Sequence, residues 1–357
     1  MNTRNTFFVF LSIIFFICFT NCNNGSIKKR PEKYGGTFRI NASDVPDIVF
    51  PGQVLKASEQ LIVNQVYMGL LKYNPRNIEI EPSLAKNWRI ERNQTLYTFY
   101  LHNNAYFQKD ACFAPNKTRK IIAQDVKYSM EQIAHFHVLN QHEISSQLSN
   151  IIGSETILES TLQNNSLHIS GIEAINDSTI VFQLKEPDPL FVHYLASTNS
   201  LVFAHEAYEA YGFKSTVASG AYYFSYPKIK GQAMILIANP NFFRKNKQNQ
   251  QLPFVDTIIV SFITSPPKEL LLFERGKLDI VTNVDGKYVT DFLDKHIEQF
   301  QNNPPYYIMK QTTDANKNLK YSFIRSNIQN IEINSIGYFD LTEIYFKNPS
   351  VQEISVY

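Results

Sequence analysis

The stretch that most constrains this chain is Gln65 to Trp88, QVYMGLLKYNPRNIEIEPSLAKNW. Ile62, Val66 and Leu70 recur every four positions, the spacing of one helix face, and predict a helix from about Ser58 to Leu70. A short apolar run then breaks at Asn74-Pro75-Arg76-Asn77 and resumes near Ile80, which reads as strand, turn and strand. A helical turn is expected before a third strand that carries Trp88. Helix and hairpin in direct succession predict a mixed α/β (α+β) fold. At the helix start Ser58 reads as the N-cap. Glu59 has two readings, compensation of the positive helix end or contact with a ligand.

Period-two patterns mark the elements that follow. Trp88 and Ile90 lead into a Glu91-Arg92-Asn93-Gln94 turn, and LYTFYL over Leu96 to Leu101 puts Tyr97, Phe99 and Leu101 on one face. Ala105-Tyr106-Phe107 and Cys112-Phe113 are expected to continue in register with that strand. A helix over Gln124 to Ala134 turns Val126, Met130 and Ile133 inward. A second hairpin joins Gly171–Ile175 to Thr179–Leu184 through Asn176-Asp177, with Ile180, Phe182 and Leu184 inward. Asp188-Pro189 offers an N-cap and a first-turn proline to a helix ending at Leu195. Further strands are expected after Ser219-Gly220, at Ile235 onward and over Val255–Ile259. A helix within LLFERGKLDI closes on Gly276 as C-cap before Asp279 enters a strand. A helix over Val289–Phe300 and strands within Glu332–Lys347 complete the reading.

At 357 residues, 44% hydrophobic and 18% charged, the chain can bury the cores of two or more domains. Its net charge of +2 and the absence of any block of five like charges give no nucleic-acid footprint. Three cysteines, Cys18, Cys22 and Cys112, build no disulfide framework, and Cys112 reads as a lone packed thiol. His135, His137 and His142 do not share a helix face, and no acidic or thiol partners complete a metal site. His205-Glu206 lacks the second histidine of a zincin, and no G-x-S-x-G, C-x-x-C or phosphate-cradling glycine loop is present. No catalytic residue, metal or cofactor is expected, and a hydrolase is the weakest of the functional classes.

The first 24 residues carry Arg4, an apolar run from Phe7 to Phe19 and a polar exit at Thr20-Asn21-Cys22-Asn23-Asn24. These thirteen positions, apolar except for Ser12, suit the h-region of a secretory signal and are too few to span a bilayer, which takes roughly 20. The exit resembles a bacterial lipoprotein signal with Cys22 as the lipidated residue, although Asn21 and Phe19 depart from the usual lipobox. A plain cleaved signal and an uncleaved anchor are the alternatives.

The motifs taken together resemble the family 5 bacterial extracellular solute-binding proteins. V-Y-x-G-L-L-x-Y-x-P from Val66 and I-x-P-S-L-A-x-x-W from Ile80 match its early segment. A-Q-D-V-K-Y-S from Ala123, S-G-A-Y-Y-F from Ser219, N-P-N from Asn239 and F-x-x-G-x-x-D from Phe273 follow in the family's order. Ile122 stands where the family usually has a capping Thr, and Ala218 and Ala221 stand where its loop has Gly and Pro. The resemblance implies a periplasmic-binding-protein-like fold in which two lobes close about a hinge. It implies a first lobe over 35–265 after a leader (1–21) and tether (22–34), a second-lobe and hinge region over 266–331, and a return to the first lobe over 332–357. Only 77 residues follow Ile280, against roughly 100–150 for an ordinary domain, so a shortened second lobe is expected. By resemblance the chain is a non-enzymatic, lipid-anchored envelope receptor that hands a peptide or similar small solute to an ABC permease and ATPase. Its ligand would meet Lys56, Ala57 and Ser58 in the loop before the first helix, and Ser219, Gly220, Ala221 and Tyr222 in the later loop. The rival reading is a degenerate paralogue that acts as an interaction or vestigial lipoprotein without trapping ligand.

Overall fold

Strand patterning builds two four-stranded sheets. The computed structural model describes residues 33–140, 145–157, 167–230, 233–295, 306–311, 320–331 and 340–347, all within one compact unit, Glu32–Tyr357. Cys22 with the leader, His142, the expected helix end at Phe300 and residues 332–339 with Tyr338-Phe339 lie outside them. In the first sheet, β1 (Thr37–Asn41), β10 (Thr257–Ser261), β9 (Ala233–Ala238) and β8 (Tyr222–Lys230) are neighbours in that order. β1 and β10 run parallel, with Phe38 opposite Ile258, and the other pairs are antiparallel. The second sheet is antiparallel, in the order β4 (Ala85–Glu91), β5 (Leu96–Leu101), β7 (Thr179–Gln183) and β6 (Ile172–Asn176). Tyr97, Phe99 and Leu101 are buried and their alternates half-exposed, as period-two patterning predicts. The β4–β5 turn holds Arg92, Asn93 and Gln94 at positive φ.

Between the sheets run β2 (Leu71–Tyr73), β3 (Ile80–Pro82), α1 (Ala57–Val66) and α2 (Ala123–Leu139). Two expectations about α1 are corrected. It stops four residues before Leu70, because Met68 finds stronger partners outside the helix. The Met68 N–H donates to Ser219 Oγ at 3.1 Å, and its carbonyl accepts from Val202 N–H at 2.8 Å. Its N-cap is Lys56 instead of Ser58, and the Ser58 hydroxyl donates to Asp44 at 2.6 Å. The segment at Ser83-Leu84 is a bend, not a helical turn, fixed by N–H donation back to Leu70 and Gly69. Ala105–Phe113 does not extend the sheet: Phe107 N–H bonds Arg119 O, and Ala111–Phe113 is a 3₁₀ turn capped by Asp110. α2 does turn Val126, Met130 and Ile133 inward, and it runs five residues past Ala134. The extra turn brings Phe136 against Phe50, Phe203 and Phe213, with ring centroids 5.0–6.4 Å apart. Asp188 caps the turn before α3 (Phe191–Leu195) by accepting from Leu190 N–H at 2.8 Å.

A smaller body begins past β10. Pro266 opens α5 (Pro266–Glu274), following α4 (His205–Tyr211), and Gly276 at φ +73° ends it, a left-handed C-terminal position that glycine fills without strain. β11 (Ile280–Asp285), β13 (Lys320–Arg325) and β12 (Tyr306–Gln311) form an antiparallel sheet. Its companion α6 (Gly286–Asp294) starts three residues before the expected Val289. Val281 and Phe323 face α5 and α6 in a core with Phe273, Phe292 and Tyr306. Ile280 and Ile324, one residue away on each strand, belong to the large core. The small sheet therefore serves two cores through the alternation of its side chains. Past Arg325 the chain rejoins the large core through Ile328, Leu341, Ile344 and Phe346, and β14 (Ile328–Gln329) pairs with β15 (Tyr345–Phe346).

Candidate functional site

The two loops singled out in the sequence have opposite characters. Before α1, the Glu59 carboxylate accepts four backbone N–H groups, from Asp47 (2.9 Å), Ile48 (3.3 Å), Leu55 (2.8 Å) and Lys56 (2.9 Å). Burial would raise its pKa, but the four donors hold it below the usual carboxylate value. Glu59 thus pins the 45–56 loop as well as the helix end, a structural role with no opening for a ligand. Lys56 is held by Val45 O (3.0 Å) and Asp47 (2.7 Å). Ala57 is exposed, Leu55 keeps 79% of its surface in solvent, and Ser58 is buried. Val54, between the pinned segments, hydrogen-bonds no described residue through its backbone.

The later loop is closed. Ser219, Gly220, Ala221 and Tyr222 are all buried. Ser219 and Gly220 N–H both donate to Val66 O, at 3.1 and 2.9 Å. Gly220 and Ala221 carbonyls accept from Asn239, at 3.0 and 2.8 Å. A Cβ on Gly220 would meet Gln65 O at 2.7 Å and the Val66 carbonyl carbon at 2.8 Å, so only glycine fits this approach. The Tyr222 hydroxyl donates to Leu341 O at 3.4 Å, and burial raises its pKa far above the ordinary value. This loop braces α1 against the first sheet. Beside it lies an inner cavity of about 40 Å³ lined by Tyr67, Ser83, Gly220, Ala221 and Arg244. The buried Tyr67 hydroxyl finds no partner among the described residues, and the cavity is roomy enough for one to two water-sized groups.

The remaining sequence candidates resolve into structural roles. Glu206 and Asp125 share the Arg119 guanidinium, with four contacts of 2.6–2.8 Å. The Cys112 thiol is pushed up to about 12 by burial and by Asp110, which removes its nucleophilic form. Among the described residues no cluster of His, Cys, Asp and Glu could hold a metal, and no helix is long and apolar enough to cross a membrane.

Sequence reading missed two features. The first is the junction of the two bodies. Arg39 N–H donates to Asp279 Oδ2 at 2.7 Å, Asp279 N–H to Arg39 O at 2.9 Å, and Arg325 N–H to Asp279 O at 3.1 Å. Burial raises the Asp279 carboxyl to about 6 despite the attraction of Arg39 and Arg325. The only sequence signal was an aspartate at the mouth of a strand. The second is an open pocket of about 540 Å³ on the large body, drawn from five separated segments.

With this geometry in hand, the comparisons with known proteins are informative. Residues 79–331 match the model of bacterial extracellular solute-binding proteins, family 5 Middle. The peptide transport periplasmic protein SapA of Salmonella typhimurium is 31% identical over 155 residues, covering 42% of this chain and 26% of SapA. The periplasmic oligopeptide-binding protein OppA of Escherichia coli is 24% identical over 250 residues, covering 69% of this chain and 42% of OppA. The chain thus spans less than half of either relative. Among solved structures, the Helicobacter pylori periplasmic binding protein DppA, in complex with the peptide STSA, superposes with a TM-score of 0.59 at 19% identity, over 79% of this chain and 52% of DppA. That likeness establishes a shared fold. The motif order, the two bodies joined at Asp279 and the match across 79–331 agree: this chain belongs to the bacterial extracellular solute-binding proteins of family 5.

Proposed function

We propose that the chain is a non-enzymatic, envelope-located receptor that binds short peptides for an ABC importer. The observation that carries this reading is the loop before α1. A rigid acidic brace holds Val54 to Ala57 at the surface with backbone groups uncommitted at Val54, and an extended peptide can add to such a segment as a strand does. Backbone pairing needs no particular side chain, which suits ligands of varied sequence. Support comes from relatives whose names record peptide transport or oligopeptide binding. Of the residues singled out for ligand contact, we assign direct contact to Lys56 and Ala57. Ser58, Ser219, Gly220, Ala221 and Tyr222 act behind them by fixing α1. We assign the first lobe to the large core and the second lobe to the 266–331 body, with permease and ATPase as partners. Lipidation at Cys22 supplies the membrane tether in this reading.

Isothermal titration of the purified chain with a mixed short-peptide pool tests it. Saturable heat together with a raised Tm supports the receptor. No heat and no thermal shift, with a protein partner recovered in pull-down, supports the degenerate paralogue. Loss of acyl label from Cys22→Ser cells tests the anchor separately.

A further inference from the structure

Among the described residues, the open pocket on the large body is lined by six cations, Lys33, Lys72, Arg76, Arg244, Lys245 and Lys247, against three carboxylates, a surplus of three positive charges. Two of the carboxylates are already spent. Asp340 lies 2.6 Å from Lys72 Nζ, and Glu81 lies 3.7 Å from the same ammonium. Burial would raise the Asp340 carboxyl, but Lys72 and Arg244 hold it well below the usual range. Two of the other cations are positioned by neutral groups. Arg76 donates to Asn330 Oδ1 at 2.6 Å. The Lys33 ammonium lies 5.0 Å from the Tyr345 ring centre, a contact that fixes a cation without neutralising it.

Arg244 is the pivotal residue. It is half-buried, and no described carboxylate lies within ion-pairing distance of it. Its field reaches His102, whose pKa is lowered by burial, by Arg244 and by Lys86. Its described counter-charge, Asp340, lies beyond ion-pairing distance and is already paired with Lys72, so the guanidinium keeps its donors for an anion. Its planar fork matches the oxygens of a phosphate, and the exposed Lys245 and Lys247 flank it in sequence as mobile point charges. The pocket volume of about 540 Å³ is that of a small-molecule site. A carboxylate would bring one charge and two oxygens to a surplus of three, whereas a phosphate monoester brings close to two charges and three oxygens.

We propose that this pocket binds a phosphate monoester, carried by a soluble ester or by the headgroup of phosphatidic acid. It is distinct from the peptide-binding loop before α1, shares none of Lys56, Ala57 or Ser58, and stands whether or not the chain binds peptide.

The test uses the full chain and two arms. In the first, inorganic phosphate and glycerol 3-phosphate are titrated calorimetrically at low and high salt. In the second, the chain is co-sedimented with phosphatidic acid vesicles and with phosphatidylglycerol vesicles. Saturable, salt-sensitive binding in the first arm, or retention on phosphatidic acid alone in the second, supports the site and identifies the source. Arg244→Gln should weaken that binding at least tenfold. Lys245→Gln/Lys247→Gln, which alters two exposed side chains, should weaken it severalfold with an unchanged Tm. Absence of binding in both arms overturns the proposal, and so does binding that neither variant weakens.

Discussion

The two bodies of this molecule are stabilised by different means. The large core gathers residues as distant in sequence as Phe38 and Phe346. Its loops are tied by buried polar groups with defined partners: Glu59 on four N–H donors, Ser219 on Met68, and Asn239 on Gly220. The small core draws its described members from Ile263 to Phe323 and is dominated by aromatics, Phe292 stacked 5.0 Å from Phe323 and Phe273 edge-to-face 5.4 Å from Tyr306. It is fastened to the large core by one sheet that faces both ways, by Asp279 with Arg39 and Arg325, and by Asn41, which exchanges two hydrogen bonds with Ile263. Under the receptor function proposed above, the small body is the lobe that moves and the large one frames the ligand, with rigidity at the α1 loop and adjustability at Asp279.

The sharpest way to break this comparison is to cut matching aromatics from each core. Phe182→Ala in the large core and Phe323→Ala in the small one should each cost about 3–5 kcal/mol. Trp88, the single tryptophan, stacks on Phe99 in the large body and reports its unfolding. Because Ile280 and Ile324 present the small sheet to the large core, Phe323→Ala should lower the urea midpoint seen by Trp88 as well as that seen by circular dichroism. An unmoved Trp88 midpoint would mean that the bodies unfold independently. Asp279→Ala comes next. It leaves Arg39 buried without its carboxylate, a loss of about 3–5 kcal/mol, and should separate the two transitions that coincide in the wild type.

Gly220→Ala tests the rigid side. The added methyl collides with backbone, so about 1–3 kcal/mol should be lost, with the peptide-binding heat reduced through displacement of α1. Smallest is Glu59→Gln, at about 1–2 kcal/mol from weakened charge-assisted hydrogen bonds.

The two carboxylates also predict opposite pH behaviour. The folded pKa of Glu59 lies below its ordinary 4.5, so its contribution is present above that value and lost as pH falls through the lower folded one. Asp279 is raised from 3.8 to about 6, so its contribution is full below about 3.8 and lost as pH rises through about 6. Unfolding midpoints between pH 4 and 7 should therefore be steeper in Glu59→Gln and flatter in Asp279→Asn than in the wild type. Parallel profiles would contradict the assignment.

Much of the large body was legible because its signals are local. The hairpins around Arg92 and Asp177 and the inward face of α2 follow from periodicity within a dozen residues. What was missed depends on contacts far apart in sequence. α1 ends at Val66 because Ser219 and Val202 take the Met68 backbone, and no helix-propensity argument contains those partners. Ala105–Phe113 keeps a strand-like pattern, but its backbone pairs with Arg119 and Ala218. Resemblance pointed to two loops, yet could not tell that Gly220 and Ala221 spend their carbonyls on Asn239 while Leu55 and Ala57 are exposed. The basic pocket had no local signature, since Lys33, Arg76 and Arg244 stand in unrelated segments.

Amide hydrogen exchange of the full chain, with and without excess mixed short peptides, tests the central claim most directly. The account predicts added protection over Val54 to Ser58 with little change at the already closed Ser219–Tyr222 loop. Unchanged exchange at Val54 to Ser58 in the presence of bound peptide would contradict it.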